Sequence, residues 1–347
     1  MNEKNEVVDI TPIYNEIRTK LLGARKQIYT TINITILETY WYIGKTIIEL
    51  QEGDSRAEYG KAIVKSLSQK LTKEFGNGFS IANLTRMKNF YEYFPNIATL
   101  SQQLSWSHYV ELVKIHRKEE RDFYYNESVE SNWSVRELQR QKNAMLYNRL
   151  LLGADINKVK ELSEKGIIIN KPEDVVKNPY VFEFLGLKEN TGYLESDLEK
   201  ALLNHLTEFL LELGKGFSFM GNQVRITLDG DHFYPDLIFY NRLAKCFVII
   251  DLKIGKLTHQ DVGQMQMYVN YYKRTQMIDG ENEPIGILLC ADKNDTVVEM
   301  TLGDEHKNIY ASNYLTYLPT KEELIREIET EKAILEAMEE RENDNNE

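Results

Sequence analysis

Two short segments carry acids in unfavourable company. Tyr234-Pro235-Asp236-Leu237-Ile238-Phe239-Tyr240 and Val248-Ile249-Ile250-Asp251-Leu252-Lys253 each set a carboxylate inside a run of residues suited to a core. An ionised carboxylate is costly to bury unless a cation or several donors meet it, so two at the ends of core strands call for a positive partner. Asp251 and Lys253 are two residues apart and share one face of any strand that holds them. If the two segments pair as neighbours, Asp236 comes close to Asp251. Two carboxylates plus a backbone carbonyl then offer the hard oxygen donors that Mg²⁺ takes. The Lys253 ammonium would stand beside them, placed to orient or deprotonate a water and to stabilise charge on a scissile phosphate. Spacing alone leaves a second reading open, in which Asp236 ends a strand and Asp251 with Lys253 is a surface ion pair.

The elements that must position these groups follow from the surrounding pattern. A helix is expected over 195–213, carrying Glu195 and Glu199, followed by strands over 217–228, 233–240 and 245–252. A second helix is expected over about 259–274, then an apolar strand over 285–290 and a short one over 309–317. The order α-β-β-β-α-β describes an α/β sandwich around a central mixed sheet. Gln264 and Tyr268 are four apart on the second helix and share a face. They can present an amide and a phenol to a phosphate or metal; taken singly, they read as a solvated polar group and a core aromatic.

The first half reads as helical, with apolar residues at three- and four-residue spacing over 12–50, 59–75, 80–94, 107–127 and 134–152. Ser80 is an expected N-cap, with Pro95 just past that helix, and Ser134 with Glu137 forms a capping-box pattern. From about 153 to 192 glycines and Lys171-Pro172 and Asn178-Pro179 break the texture, which sets a domain boundary near 152–175. The expected organisation is a helical domain (1–160), an α/β domain (161–320) and an acidic helical tail (321–347). Leu104-Ser105-Trp106-Ser107-His108-Tyr109 holds a serine and a histidine, but no oxyanion-hole motif accompanies them and packing by Trp106 and Tyr109 is expected.

Composition narrows the class. Of 347 residues 42% are hydrophobic and only 7 are proline, which excludes a long disordered or collagen-like chain. No apolar run approaches the roughly 18 residues of a membrane span, and the N-terminus lacks a secretory pattern. Cys246 and Cys290 sit in apolar runs and read as buried thiols of a reducing cytoplasm. The net charge is −12, yet residues 1–150 hold 21 Lys+Arg against 18 Asp+Glu, a net of +3. Seven of those cations lie in 55–93 (Arg56, Lys61, Lys65, Lys70, Lys73, Arg86, Lys88). An acidic total therefore leaves room for a basic DNA face, with Arg86, Lys88 and Asn89 on a recognition-type helix; an ordinary solvated basic face is the other reading.

The spacing resembles a known pattern. An acid in a first helix, Pro-Asp in a strand, Asp-x-Lys in the next and Gln-x-x-x-Tyr in the following helix resemble the PD-(D/E)XK nuclease superfamily. More closely, Phe209-Leu210-Leu211-Glu212-Leu213-Gly214, Asp236-Leu237-Ile238-Phe239-Tyr240 and Asp251-Leu252-Lys253-Ile254-Gly255 are similar to the YhcG family of bacterial nuclease-domain proteins. In the first half Tyr40-Trp41-Tyr42-Ile43-Gly44, Phe75-Gly76-Asn77-Gly78-Phe79-Ser80 and Trp133-Ser134-Val135-Arg136-Glu137-Leu138 extend the likeness, which runs from about residue 12 to 320. The resemblance implies a helical N-terminal domain followed by an α/β restriction-endonuclease-like domain. It implies that Asp236 and Asp251 bind metal (Mg²⁺ or Mn²⁺), that Lys253 is the catalytic lysine, and that Gln264 and Tyr268 form the last-helix motif. Glu199 is the favoured first-helix acid and Glu195 the alternative; Asp251 stands where the family more often has Glu.

The expected function is a metal-dependent DNA endonuclease in DNA processing, restriction or defence against foreign DNA, located in the cytoplasm. The alternative is a catalytically silent nuclease fold serving as a DNA- or protein-binding subunit of a larger defence or mobile-element assembly. The expected partners are DNA, a second copy of the chain (a homodimer or larger homo-oligomer, to serve both strands of a duplex) and a defence-system subunit, with no membrane.

Overall fold

The computed structural model describes residues 10–52, 57–151, 156–187, 194–292 and 308–320; the expected acidic tail and Arg56 lie outside the described residues. The chain divides into two compact units, Met1–Arg121 with Ser128–Val135, and Asp122–Glu127 with Arg136–Glu347.

The first unit is helical: α1 (Thr11–Glu52), α2 (Ala57–Phe75), α3 (Ile81–Tyr93) and α4 (Trp106–Leu112), followed by α5 (Lys118–Glu130). Ser80 caps α3, its side chain accepting from the Asn83 N–H at 3.3 Å. Leu84, Met87 and Phe90 recur at helical spacing and are fully buried. The α1–α3 contact depends on Gly44, because a Cβ there would lie 2.0 Å from the Met87 carbonyl oxygen. Only a residue without a side chain lets the two backbones approach so closely. Aromatic pairs fill the interior, Tyr40 against Trp106 at 4.8 Å, Trp41 against Tyr91 at 4.9 Å and Phe90 against Tyr109 at 4.8 Å. Near the start of α1, Tyr14, Ile17, Leu21 and Ile28 each keep more than half of their surface exposed.

The second unit takes in Asp122–Glu127 of α5, then α6 (Val135–Asn143), α7 (Leu146–Leu150) and α8 (Ile156–Lys165). Then come β1 (Tyr180–Val181), α9 (Glu195–Asn204), α10 (Leu206–Leu213) and β2 (Phe217–Asn222). A hairpin of β3 (Ile226–Leu228) and β4 (Asp231–Phe233) precedes β5 (Leu237–Asn241) and β6 (Cys246–Lys256). The last described elements are α11 (His259–Thr275), β7 (Ile285–Asp292) and β8 (Ile309–Leu315). Six strands form a sheet in the order β1-β8-β7-β6-β5-β2. The β2–β5 and β5–β6 pairs are antiparallel, and the β6–β7, β7–β8 and β1–β8 pairs parallel. A mixed sheet of this kind needs cover on both faces. Alternate residues of β5 and β6 divide accordingly. Leu237, Phe239, Val248 and Ile250 pack with Leu198, Leu202 and Phe209 of α9 and α10. Ile238 and Ile249 pack with Val262, Met265 and Tyr268 of α11.

A buried ion cluster ties α6, α7 and α10 to the β1 edge. Glu212 is wholly buried; it accepts from Arg149 Nη1 at 2.5 Å and from the Val181 N–H at 3.0 Å, and lies 3.3 Å from Arg140 Nη1. Burial alone would raise the Glu212 pKa, yet Arg149, Lys177 and Arg140 together hold it below the ordinary glutamate value.

Several expected elements are interrupted. The helix expected over 107–127 breaks between α4 and α5, where Arg121 Nη1 donates to the Ile115 and His116 carbonyls that have left the helix. That expected over 134–152 breaks at Met145, in the left-handed region with φ 51°. The helix over 195–213 breaks at His205, whose N–H is shared between the Ala201 and Leu202 carbonyls. The strand expected over 217–228 is cut at Gln223, φ 48°, and β6 runs on to Lys256.

Candidate active site

The antiparallel register of β5 and β6 pairs Leu237 with Ile250. Carried one residue further, it sets Asp236 opposite Asp251. Asp236 Oδ2 accepts from the Leu252 N–H at 2.7 Å, and its Oδ1 accepts from Gln223 Nε2 at 2.9 Å. Asp251 is 3% exposed. Lys253 Nζ lies 2.8 Å from its Oδ2, a close ion pair with the buried carboxylate.

Charge accumulates around this pair. Lys253 Nζ also lies 3.6 Å from Glu195 and 3.8 Å from Asp261. The amide of Gln223 joins Asp236 to the first helix, because its Nε2 also donates to Glu199 Oε2 at 2.9 Å. Asn222 Nδ2 reaches Glu199 Oε1 at 3.4 Å. On α11 Gln264 Nε2 donates to the Tyr268 hydroxyl at 2.6 Å. That phenol is buried, and its pKa is raised by burial first and by Asp251 next.

The proton affinities report the crowding. Asp236 is pushed up to about 7, chiefly by burial and then by the neighbouring Asp251 charge, against the pull of the Leu252 N–H and Lys253. Asp251 is also raised, again by burial first, although Lys253 opposes the shift. Burial works against the Lys253 ammonium, but Asp251, Glu195 and Asp236 outweigh it and hold its pKa above the usual lysine value. Lys253 is therefore a cation at neutral pH, suited to donating a hydrogen bond and not to accepting a proton.

The donor set suits a hard divalent cation. Two carboxylates at facing positions, both with pKa values raised by burial, share the single ammonium of Lys253 and are short of positive charge. Among the described residues there is no group of three or more His, Cys, Asp or Glu arranged to hold a metal. Two carboxylate side chains and the neighbouring backbone carbonyls are hard oxygen donors, the kind a divalent cation takes.

The sequence-derived residues divide between the two units. Asp236, Asp251, Lys253, Gln264 and Tyr268 share one end of β5, β6 and α11. Both first-helix acids reach it by different routes, Glu195 through Lys253 and Glu199 through Gln223. Arg86, Lys88 and Asn89 lie on α3 of the first unit, all half-buried, with Arg86 Nη1 donating to Asn83 Oδ1 at 2.7 Å. Ser105 and His108 do touch, Oγ to Nδ1 at 2.8 Å, but Nε2 meets the Trp133 carbonyl at 2.9 Å and the pair caps α4. Cys246 and Cys290 are buried free thiols. His259 opens α11 and is exposed.

Gln223 and Asp261 escaped the sequence reading. Asp261 carried a signal: Thr258 and Asp261 form a capping box on α11, with Asp261 Oδ2 accepting from the Thr258 N–H at 2.8 Å. Gln223 carried none, since glutamine has no particular preference for the left-handed backbone it adopts.

Residues 173–329 match the YhcG PDDEXK nuclease domain, and residues 16–149 match the DUF1016 N-terminal domain. The Escherichia coli (strain K12) protein described as "Putative nuclease YhcG" is 35% identical, the match covering 90% of this chain and 92% of that one. Among solved structures, a repair endonuclease from Pyrococcus abyssi overlaps at 16% identity and TM-score 0.25, over 36% of this chain and 49% of that one. An EndoMS–dsDNA2 complex overlaps at 16% identity and TM-score 0.27, over 39% and 50%. The chain thus spans about half the length of these two structures. Among the described residues no helix is long and apolar enough to cross a membrane. With 35% identity sustained over nine-tenths of its length and a PDDEXK nuclease domain following the DUF1016 N-terminal domain, the chain belongs to the YhcG family.

Proposed function

We propose that the protein is a divalent-metal-dependent endonuclease that hydrolyses phosphodiester bonds of DNA. The observation that carries this is the facing pair Asp236 and Asp251, with Lys253 Nζ 2.8 Å from Asp251. Folding gains nothing by gathering two buried carboxylates around one ammonium, so the arrangement reads as prepared for a further cation.

Asp236, Asp251 and the Leu252 carbonyl would hold Mg²⁺ or Mn²⁺. When bound, the ion supplies Lewis-acid stabilisation of the phosphate and eases ionisation of water. The protein's own groups do the rest. Lys253, kept protonated by its acidic neighbours, donates to a non-bridging phosphate oxygen as negative charge builds there. Tyr268 receives a hydrogen bond from Gln264, which leaves its own O–H free to donate to water or phosphate. Glu199 acts through Gln223, fixing the Asp236 carboxylate, and Glu195 balances the Lys253 charge. Arg86, Lys88 and Asn89 would add phosphate contacts from the first unit.

The test is a cleavage screen of the full chain against duplex, branched and single-stranded DNA, in Mg²⁺ and in Mn²⁺, with Lys253→Ala beside it. Cleavage by the wild type that the variant lacks supports the reading. Salt-dependent DNA binding with no cleavage of any form, in either metal, would mean a silent nuclease fold kept as a binding subunit.

A further inference from the structure

A hairpin rises beside the candidate site, and its two faces differ. The β3–β4 register pairs Ile226 with Phe233 and Thr227 with His232. Ile226 is fully buried and Phe233 packs on the same cluster as α11, which anchors one face. On the other, Thr227 Oγ1 and His232 Nδ1 lie 3.0 Å apart and both residues are exposed. One register step towards the root, Arg225 falls opposite Tyr234, again both exposed. Asp229 and Gly230, with φ 47° and 94°, make the tight turn between the strands.

The root is tied to the acids. The Gln223 N–H donates to the Asp236 carbonyl at 3.1 Å, and its side chain joins Asp236 to Glu199. Tyr234 stands two residues before Asp236, about 7 Å along an extended chain. Tyr234 is 43% exposed. Residues 224–235 hold one cation, Arg225, against two acids, Asp229 and Asp231. With a single cation this surface cannot hold any strand by phosphate contacts alone, so affinity there must come from stacking. Its solvent face offers a phenol, an imidazole and a guanidinium, groups on which unpaired bases can stack.

We propose that the exposed face of this hairpin, with Tyr234 at its root, is a stacking platform for an unpaired nucleic-acid strand entering the site. The platform names the form of substrate and rests on the nuclease reading above. An unpaired strand brings its bases to Tyr234 while its backbone continues to Asp236. Arg225 opposite can stack on a base or meet one phosphate.

The experiment measures binding of a fluorescein-labelled oligo-dT 20-mer and of a labelled 20-base-pair duplex to the full chain by fluorescence anisotropy, with Ca²⁺ in place of Mg²⁺ or Mn²⁺. Tyr234→Ala should weaken oligo-dT binding about tenfold, from the usual cost of removing one stacking ring. Tyr234→Phe should keep the affinity, and duplex binding should change less than twofold in either. Unchanged oligo-dT affinity in Tyr234→Ala, or an equal loss on both probes, overturns the proposal. If Tyr234→Ala melts early, Arg225→Ala and His232→Ala, both on the solvent face, take the same comparison with the same criteria. Cleavage assays separate the two claims. Wild-type cleavage with a normally binding Tyr234→Ala removes the platform alone. Tyr234-dependent oligo-dT binding by a wild type that cuts nothing supports the platform and removes the nuclease reading.

Discussion

Replacing Asp236 by Asn should stabilise the metal-free protein at alkaline pH. The Asp236 carboxyl titrates near 7 in the folded chain against 3.8 when unperturbed. Below about pH 4 both folded and unfolded states are protonated and the site costs nothing. As pH rises from about 4 to 7, the unfolded chain gives up the proton and the folded one keeps it, so folding loses stability. Above about 7 the loss is complete. At about 1.4 kcal/mol per unit, a shift of this size is worth on the order of 4 kcal/mol. Asn removes that cost but leaves the Gln223 amide facing another amide, which gives back about 1 kcal/mol. At pH 8 in EDTA, Asp236→Asn should therefore be more stable than wild type by on the order of 2–3 kcal/mol. For a unit of this size that is a rise in melting temperature of about 5–10 °C. Near pH 4 only the amide mismatch remains, so the variant should melt slightly below the wild type, and Mn²⁺ should raise the melting temperature of the wild type only. Differential scanning calorimetry at both pH values reads all of this. A variant no more stable than wild type at pH 8 in EDTA would refute the claim that Asp236 and Asp251 repel one another in a buried site.

Further outcomes follow from single contacts. Lys253→Ala should lower the cleavage rate by about 10²–10³-fold, the range for losing one donor at a developing charge, with an unchanged circular dichroism spectrum. Gly44→Ala, which at an ordinary helix position would gain about 1 kcal/mol, should destabilise the first unit by about 2 kcal/mol or more, because the new Cβ would meet the Met87 carbonyl at 2.0 Å; urea unfolding gives the sign. Glu212→Gln should cost about 3–5 kcal/mol by leaving the buried Arg149 without its carboxylate, seen as a lower urea midpoint. Lys177 is pushed down to about 8 by its burial, against the pull of Glu212. Its burial therefore destabilises the fold below about pH 8, and that cost is relieved as pH rises from about 8 to 10.5; Lys177→Met should remove this part of the pH dependence of the melting temperature.

The sheet and its acid-bearing end were legible because their signals are local. The Asp236 and Asp251–Lys253 segments are short apolar runs of strand length, buried almost throughout, and the facing of the two acids follows from pairing them as neighbours. Breaks within helices were not legible. Met145 and His205 interrupt runs whose apolar spacing continues across the break, and tertiary contacts decide there. Arg121, whose guanidinium holds the Ile115 and His116 carbonyls, shows the same at the α4–α5 break. The choice between Glu195 and Glu199 was also closed to sequence, since one helical turn separates them. Their distinct contacts with Lys253 and Gln223 appear only once the strands are in place. Gln223 was invisible because its importance lies in a backbone conformation and a bridging amide. The Tyr40–Tyr42 and Tyr91–Phe94 aromatics read as core or as a self-association surface; Tyr40, Trp41, Tyr91 and Phe94 pack inside the first unit, while Tyr42 is 67% exposed.

The central claim is that Asp236 and Asp251 hold the ion that makes phosphodiester cleavage run. Titrating Mn²⁺ into the full chain while recording both heat of binding and the rate of nicking of supercoiled circular DNA tests it most directly. One ion should bind per chain, the nicking rate should saturate at the same Mn²⁺ concentration as the binding heat, and Asp236→Ala should abolish both. Nicking that persists in Asp236→Ala, or in wild type with excess EDTA, would contradict it.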